Sequence, residues 1–468
     1  MSSPHNGLDA RTRLLLEGPI APTLLRMAAP NMLVMVAQAS AGLIETWFIG
    51  KLGTDALAGM ALVFPLVMLM QMLSGGAIGG AIVSSIARAL GGGRHADAEA
   101  LVFHAIAISL LLGVVSTVVM LAGGRWLYMR MGGSGAALDA ALVYSHWVFA
   151  GAILVWLFNA LGAVIRGTGN MAVPAWVTLA GTLLLVPISP VLIFGWGPLP
   201  GLGIAGGAIA LLVYYAGGSL ALWFYLRSPR SLLRPVLAQV RWRLQLFGGM
   251  LRMGAVASIS TVSTNLSIAI ATGLAATFGT AAVAGYGTAA RLEYMLVPLV
   301  FGLGGPLVAM VGTCVGAGMR ERALAATWIG AAIAFGVAET IGLAAALFPR
   351  AWLSLFDTDP AMLDAGVQYL RVVGPVYGFF GVGLILYFAS QGAGRLMWPV
   401  IGNITRLAVA ALGGWLALRA GLGLGWVFAA QAAALVAYGT VNATAIAMGV
   451  WFKPPYRLRQ PQPAESTS

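Results

Sequence analysis

Residues 53–59 read Gly53-Thr54-Asp55-Ala56-Leu57-Ala58-Gly59, and residues 279–285 read Gly279-Thr280-Ala281-Ala282-Val283-Ala284-Gly285. The two stretches share Gly, Thr, Ala, Ala and Gly at one offset of 226, which also pairs Leu25-Arg26-Met27 with Leu251-Arg252-Met253. Further along the offset becomes 225. Gly91, Gly93 and Ala98 match Gly316, Gly318 and Ala323, while Gly167, Gly169 and Pro174 match Gly392, Gly394 and Pro399. A register kept over that distance marks an internal duplication.

Each copy holds six apolar windows. They lie near 23–50, 56–87, 100–121, 140–165, 172–195 and 203–226, then near 249–277, 282–314, 324–346, 365–391, 396–419 and 424–450. Six is even, so both copies enter the membrane in the same sense and are related by an axis along its normal, as in many transporters. The expected fold is an all-α polytopic membrane protein with 12 transmembrane helices in two six-helix lobes. Its parts are an N-terminal segment 1–22, an N-lobe 23–226, a basic linker 227–248, a C-lobe 249–450 and a tail 451–468. Of 468 residues, 60% are apolar and 9% charged, which leaves no room for a sizeable soluble catalytic domain.

The net charge of +12 follows the topology. Outside the windows, sixteen Lys and Arg fall on the side of the N-terminus, against Lys51, Arg125, Arg130, Arg350 and Arg419 on the other. This bias puts both termini in the cytoplasm. The basic loops suit anionic lipid, and no nucleic-acid partner is expected. The single Cys314 rules out a disulfide framework and a thiolate metal site. The glycine runs at Gly91-Gly92-Gly93 and Gly316-Ala317-Gly318 lack the strand and the Lys-Ser/Thr of a phosphate loop, and read as helix–helix turns. The overlapping pairs Gly75/Gly79 and Gly76/Gly80 let helix backbones approach closely.

Ionisable groups at membrane depth are costly and therefore point to function. The acids are Glu45, Glu293 and Glu339; the bases include Arg291 and Arg406, the latter also placed to meet lipid headgroups. Asn31, Gln38 and Glu45 are spaced seven and seven apart, on one side of the first helix. That stripe is expected to line a wet cavity, where a carboxyl can load and release a proton; the alternative is that Glu45 snorkels to the outer interface. Arg291 and Glu293, at i and i+2, do not face each other, so Arg291 needs another anion, with Glu45 the nearest candidate and backbone carbonyls or water the alternative. Thr264, the repeat counterpart of Gln38, and Asn265 belong to a hydroxyl-rich seventh helix expected to face the same cavity. Tyr377, on an aromatic face of the tenth helix, would offer a surface to flat apolar ligands or serve packing.

The stretch Glu45-Thr46-Trp47-Phe48-Ile49-Gly50-Lys51-Leu52-Gly53, the stretch Arg166-Gly167-Thr168-Gly169-Asn170 with Pro174, and Gly285-Tyr286-Gly287-Thr288-Ala289-Ala290-Arg291 resemble the multidrug and toxic compound extrusion (MATE) transporters over nearly the whole chain. The resemblance implies two lobes forming a V, alternating access, and export of cationic or amphipathic compounds against inward H+ or Na+ across a plasma membrane, the inner membrane in bacteria. It implies no enzyme and no cofactor beyond the coupling ion; a monomer is expected. Three departures matter. The usual first-helix Asp is Glu45; Leu185 and Ser189 stand where members often carry Asn and Asp; and Ser263 replaces a Glu of one branch, while no acid lies between Gly366 and Gln391. What remains is coupling through Glu45, with Arg291 and Glu293 as further cation-coupling residues and H+ favoured over Na+. A flippase for a lipid-linked precursor is the alternative. A membrane-embedded enzyme lacks a catalytic constellation at matched depth.

Overall fold

The computed structural model describes residues 9–235, 242–356 and 358–452. Ten helices are α1 Ala10–Glu17, α2 Ile20–Gly50, α3 Thr54–Gln71, α4 Gly79–Gly91, α5 His95–Arg130, α6 Gly135–Ala150, α7 Ala152–Gly167, α8 Ala172–Phe194, α9 Ile204–Arg227 and α10 Leu244–Ala276. Then come α11 Thr280–Gly316, α12 Arg320–Leu347, α13 Pro349–Leu353, α14 Pro360–Val373, α15 Tyr377–Ala393, α16 Met397–Arg419 and α17 Leu424–Ala447. Among the described residues ten spans are long and apolar enough to cross a membrane, and α6 with α7 form a bent pair that counts as one more. The 31-residue α2 is long enough to be a twelfth. The protein is an all-α polytopic membrane protein. A two-residue hairpin, Gly195–Trp196 with Leu199–Pro200, joins α8 to α9.

Three of the expected windows are interrupted, each for a local reason. The window at 56–87 runs through α3, a π-helical turn at Met72–Ile78, and α4. Asn159 of α7 donates from Nδ2 to Gln71 Oε1, at the end of α3, at 3.1 Å and to Ser74 Oγ, inside the turn, at 2.9 Å, holding side chains at a widened turn. The window at 140–165 bends by 47° at Gly151, where Leu212 of α9 closes on the backbone. The window at 365–391 breaks into α14, a 3-10 turn at Gly374–Val376, and α15, because Pro375 brings no N–H to a continuing helix.

The N-terminal segment also differs from a plain polar leader. Thr12, Leu15 and Leu16 form the buried side of α1 while Leu14 is exposed, and Asp9 caps the helix by accepting the Arg11 N–H at 3.0 Å. Arg322 of α12 donates from Nε to the Leu15 carbonyl at 3.0 Å, and from Nη2 to the Gly18 carbonyl.

The duplication is visible as geometry. Gly53, Gly93 and Gly169 adopt φ of 119°, 70° and 79°, and their counterparts Gly279, Gly318 and Gly394 adopt 102°, 77° and 71°, the left-handed region that glycine enters without a side-chain clash. Contacts between the halves are reciprocal. Gly91 lies against the Thr313 carbonyl and Gly316 against the Arg88 carbonyl, two contacts that exchange under the 225 offset. Gly167 packs on Val83 and Ile86, as Gly392 packs on Val308 and Val311. The Gly91 and Gly316 contacts lie at the arginine-rich ends of the helices, where α4 and α11 cross, while those of Gly167 and Gly392 lie within their own halves. Gly80 receives Gln391, Gly254 receives Ile78, and Gly302 receives Met32, extending the seam between the halves. Gly75 and Gly79 face Asn159 and Ala163, which is close packing. The expected linker at 227–248 and tail at 451–468 include residues 236–241 and 453–468, outside the described residues.

Candidate functional site

Glu45 sits near the end of α2 opposite the arginine-rich face, 7% exposed, in the wall of a cavity of about 330 Å³. The walls come from α2, α3, α6, α8 and α9, all from the first half of the chain. Two glycines make room. Gly42 is one turn before Glu45 on α2, and a Cβ at Gly207 of α9 would stand 3.5 Å from Glu45 Oε1. Among the described residues Glu45 Oε1 has no hydrogen-bond partner. The cavity wall carries Gln71, Tyr144, Thr182 and Tyr215 as further polar groups, with Met60, Phe64, Val67 and Met68 as apolar surface, and among the described residues no Lys or Arg lines it. Gln71 donates from Nε2 to the Tyr215 hydroxyl, which fastens α3 to α9 beside the carboxyl. Such a charge, buried without a cationic partner, is expensive, and a proton on the oxygen or a cation beside it relieves the cost.

The second half is built the opposite way. Glu293 of α11, 8% exposed, accepts from Arg406 Nη2 of α16 at 3.1 Å and from the Tyr369 hydroxyl of α14 at 3.0 Å. The Arg406 guanidinium also lies 5.2 Å from the Phe380 ring and 5.8 Å from the Tyr438 ring. This acid is fully engaged. Arg406, expected also to reach lipid headgroups, instead is buried and completes the pair.

Apart from Gln38, the remaining predicted residues do not gather around Glu45. Arg291 is exposed with its guanidinium 5.4 Å from the Phe356 ring, and no ion pair joins it to Glu45 among the described residues. The reason is depth and direction: the cavity is walled by the first half alone, and α11 turns Glu293, not Arg291, inward. Asn31 lies on the inter-half seam, its Nδ2 3.9 Å from Met171 Sδ and near Gly305, so Asn31 and Glu45 do not share one cavity. With Pro30 inside α2 and fourteen positions separating them in sequence, the two ends of the helix meet different neighbours. The Gln38 side chain lies outside the described residues. Thr264 and Asn265 donate to the carbonyls of Ser260 and Thr261 on their own helix, at 3.0 and 2.9 Å. Tyr377 is buried completely, against Gly342 of α12, and packs rather than offering a ligand surface. Glu339 accepts the Gly378 N–H at 2.8 Å, capping the start of α15. Leu185 forms part of the Glu45 cavity wall and Ser189 is buried nearby on α8. Sequence reasoning missed Gln71, Tyr144, Thr182 and Tyr215, since nothing in their own stretches sets them apart from packing residues.

Comparison with known proteins agrees with this architecture. The chain is 27% identical over 408 residues to a FAD transporter of Shewanella oneidensis, covering 86% of this chain and 90% of that one. It is 27% identical over 422 residues to a probable multidrug resistance protein NorM of Deinococcus radiodurans, covering 86% and 89%. Among solved structures, a MATE crystal structure in the bent conformation superposes with a TM-score of 0.87 at 23% identity, over 95% of this chain and 98% of that one. An outward-facing multidrug resistance MATE transporter of the MOP superfamily superposes at 0.86, also at 23% identity, over 96% and 100%. The MatE family model matches residues 30–191 and again 257–416, one match in each copy of the repeat. On that match the chain belongs to the MatE family, whose members are membrane transporters and not enzymes.

Proposed function

We propose that the protein is a secondary antiporter that exports cationic or amphipathic compounds in exchange for inward H+, with Glu45 as the coupling carboxylate. The single observation that carries this is the buried Glu45 Oε1 without a partner among the described residues, in a cavity lined by tyrosines, methionines and no base. One oxygen can hold either a proton or the charge of a cationic substrate, not both, and that exclusion is what couples the two flows. With both termini cytoplasmic, the cavity lies toward the outer face, so protonation from outside releases the substrate there. Glu293 takes no part in this exchange, being neutralised by Arg406.

The test uses the purified chain in vesicles with a fluorescent cation under separately imposed H+ and Na+ gradients. Replacing Glu45→Gln is expected to abolish H+-driven efflux and substrate-induced proton release, with the unfolding temperature within a few degrees of the parent. Proton release unchanged in that variant would defeat the assignment.

A second substrate class is favoured by one finding, the relative named as a FAD transporter. The Glu45 cavity suits an uncharged ring or a cation better than a pyrophosphate, because its lining holds an acid and no base. Export of a flavin dinucleotide in the same vesicles, insensitive to Glu45→Gln, would assign the anionic class to another part of the chain.

A further inference from the structure

At the arginine-rich face a second cavity, of about 520 Å³, opens between the halves. It is walled by the end of α4, the start of α5, the start of α10 and the turn from α15 to α16. Arg88, Arg94, Arg252 and Arg395 line it, with Asp97 as the one acid among the described residues. Asp97 is already engaged, by Arg94 at 3.7 Å and by the side chain of Arg243. Among the described residues no carboxylate forms an ion pair with Arg88, Arg252 or Arg395; Arg88 Nη1 reaches only Met253 Sδ, at 4.0 Å, and the backbone at Gly394. Four guanidiniums and one neutralised acid make a strongly positive concavity.

Two helices add to that potential, because α10 and α16 begin at this cavity with no side-chain cap and no acid in the first turn, whereas α5, which also begins here, carries Asp97 in its first turn. Their free N–H groups and dipoles favour an anion. The wall is held in place: the Arg243 N–H donates to His104 Nε2 at 3.1 Å, tying the start of α10 to α5. The duplication supplies an internal control. At the equivalent place in the other half, Arg88, Arg94 and Arg395 are replaced by Thr313, Met319 and Asn170, Arg252 keeps its charge as Arg26, and Asp97 becomes Arg322, which is engaged by the carbonyls of Leu15 and Gly18. The scaffold therefore does not require these arginines. Arg88, Arg94 and Arg395 are particular to this site and are not part of what the two halves share.

We propose that this cavity binds a phosphoryl-bearing anion, held by Arg88, Arg252 and Arg395 with the N–H groups at the start of α10 and α16. Guanidinium pairs match phosphate oxygens in fork geometry, and Leu246, Met250 and Met253 offer apolar surface to whatever carries the phosphate. The carrier is either an anionic lipid headgroup or a soluble phosphoester. Bound there, the anion joins α4 and α5 of the first half to α10 and α16 of the second, fastening the halves on that face. This site is separate from Glu45, and its test does not involve transport.

The full chain in detergent is titrated with phosphatidylglycerol in mixed micelles, with phosphatidylcholine as the neutral lipid, and with inorganic pyrophosphate at constant ionic strength. Binding is read by native mass spectrometry and by the unfolding temperature. One saturable equivalent and a raised unfolding temperature are expected with phosphatidylglycerol, with pyrophosphate, or with both in competition, and none with phosphatidylcholine. Saturation by the lipid alone assigns a headgroup; saturation by pyrophosphate assigns the phosphoryl group itself. The double variant Arg88→Gln/Arg252→Gln should weaken binding about a hundredfold, at roughly tenfold for each guanidinium removed. Gly249→Phe keeps every charge and fills the cavity, because a side chain there meets nothing within 4 Å, and should abolish binding. Arg419→Gln, at the opposite end of α16, should bind like the parent. No saturable binding of either probe, or parent-like binding in both the double variant and Gly249→Phe, would overturn the proposal.

Discussion

Glu45 and Glu293 show how one residue type takes two roles in the same molecule. Both are more than nine-tenths buried, yet one faces tyrosines and a glutamine while the other is gripped by Arg406 and Tyr369. A paired acid contributes to stability only while its partner remains. Arg406→Leu therefore strands Glu293 as a buried charge and is expected to cost about 3 to 5 kcal/mol. Adding Glu293→Gln should recover most of that loss, and chemical denaturation of the three variants checks it; a double variant no more stable than Arg406→Leu would count against a charge-pair origin. The sequence marks both acids, because charge inside an apolar stretch is conspicuous. It does not say which acid is paired: Arg406 is 113 residues from Glu293, and only the packing of α11 on α16 brings them together. For the same reason Gln71, Tyr144 and Tyr215 were illegible, since each belongs to a different helix and the cavity exists only where their rotations coincide.

At the scale of the element, glycine decides where helices meet. The duplication and the polytopic, all-helical character could be read directly, because a constant offset and apolar length are properties of the chain itself. The breaks at Met72–Ile78 and Gly151 could not, since a side chain from another helix, Asn159 or Leu212, meets the chain at each, whereas the break at Gly374–Val376 carries its own mark in Pro375. The reciprocal contacts of α4 and α11 give a paired prediction. Gly91→Ala and Gly316→Ala each force a Cβ into a carbonyl of the opposing helix, Thr313 or Arg88, so each should destabilise by about 1 to 3 kcal/mol. The pseudo-symmetry makes the two losses similar in size. Thermal unfolding of both variants, with Gly217→Ala as a control at a site where a Cβ meets nothing within 4 Å, measures this. A large loss in one and none in the other would mean that the seam is not symmetric in its energetics.

For the whole molecule the question is what drives transport. If one proton on Glu45 exchanges for one monovalent cation, no net charge crosses the membrane, and the membrane potential does no work on the cycle. The pH gradient then acts alone, supporting about tenfold accumulation per pH unit. A neutral amphipathic substrate exchanged for the same proton carries one net charge inward, and the potential adds about 2.3 kcal/mol per 100 mV. The two substrate classes can thus be told apart by ionophores in the reconstituted chain. Nigericin with K+, which collapses the pH gradient, should stop efflux of a monovalent cation, whereas valinomycin with K+, which collapses the potential, should leave it nearly unchanged. Efflux of a neutral substrate should fall with either. Cation efflux that is abolished by valinomycin would require more than one proton per cycle, and with a single unpaired carboxyl in the Glu45 cavity the chain would then need a second loading site outside it.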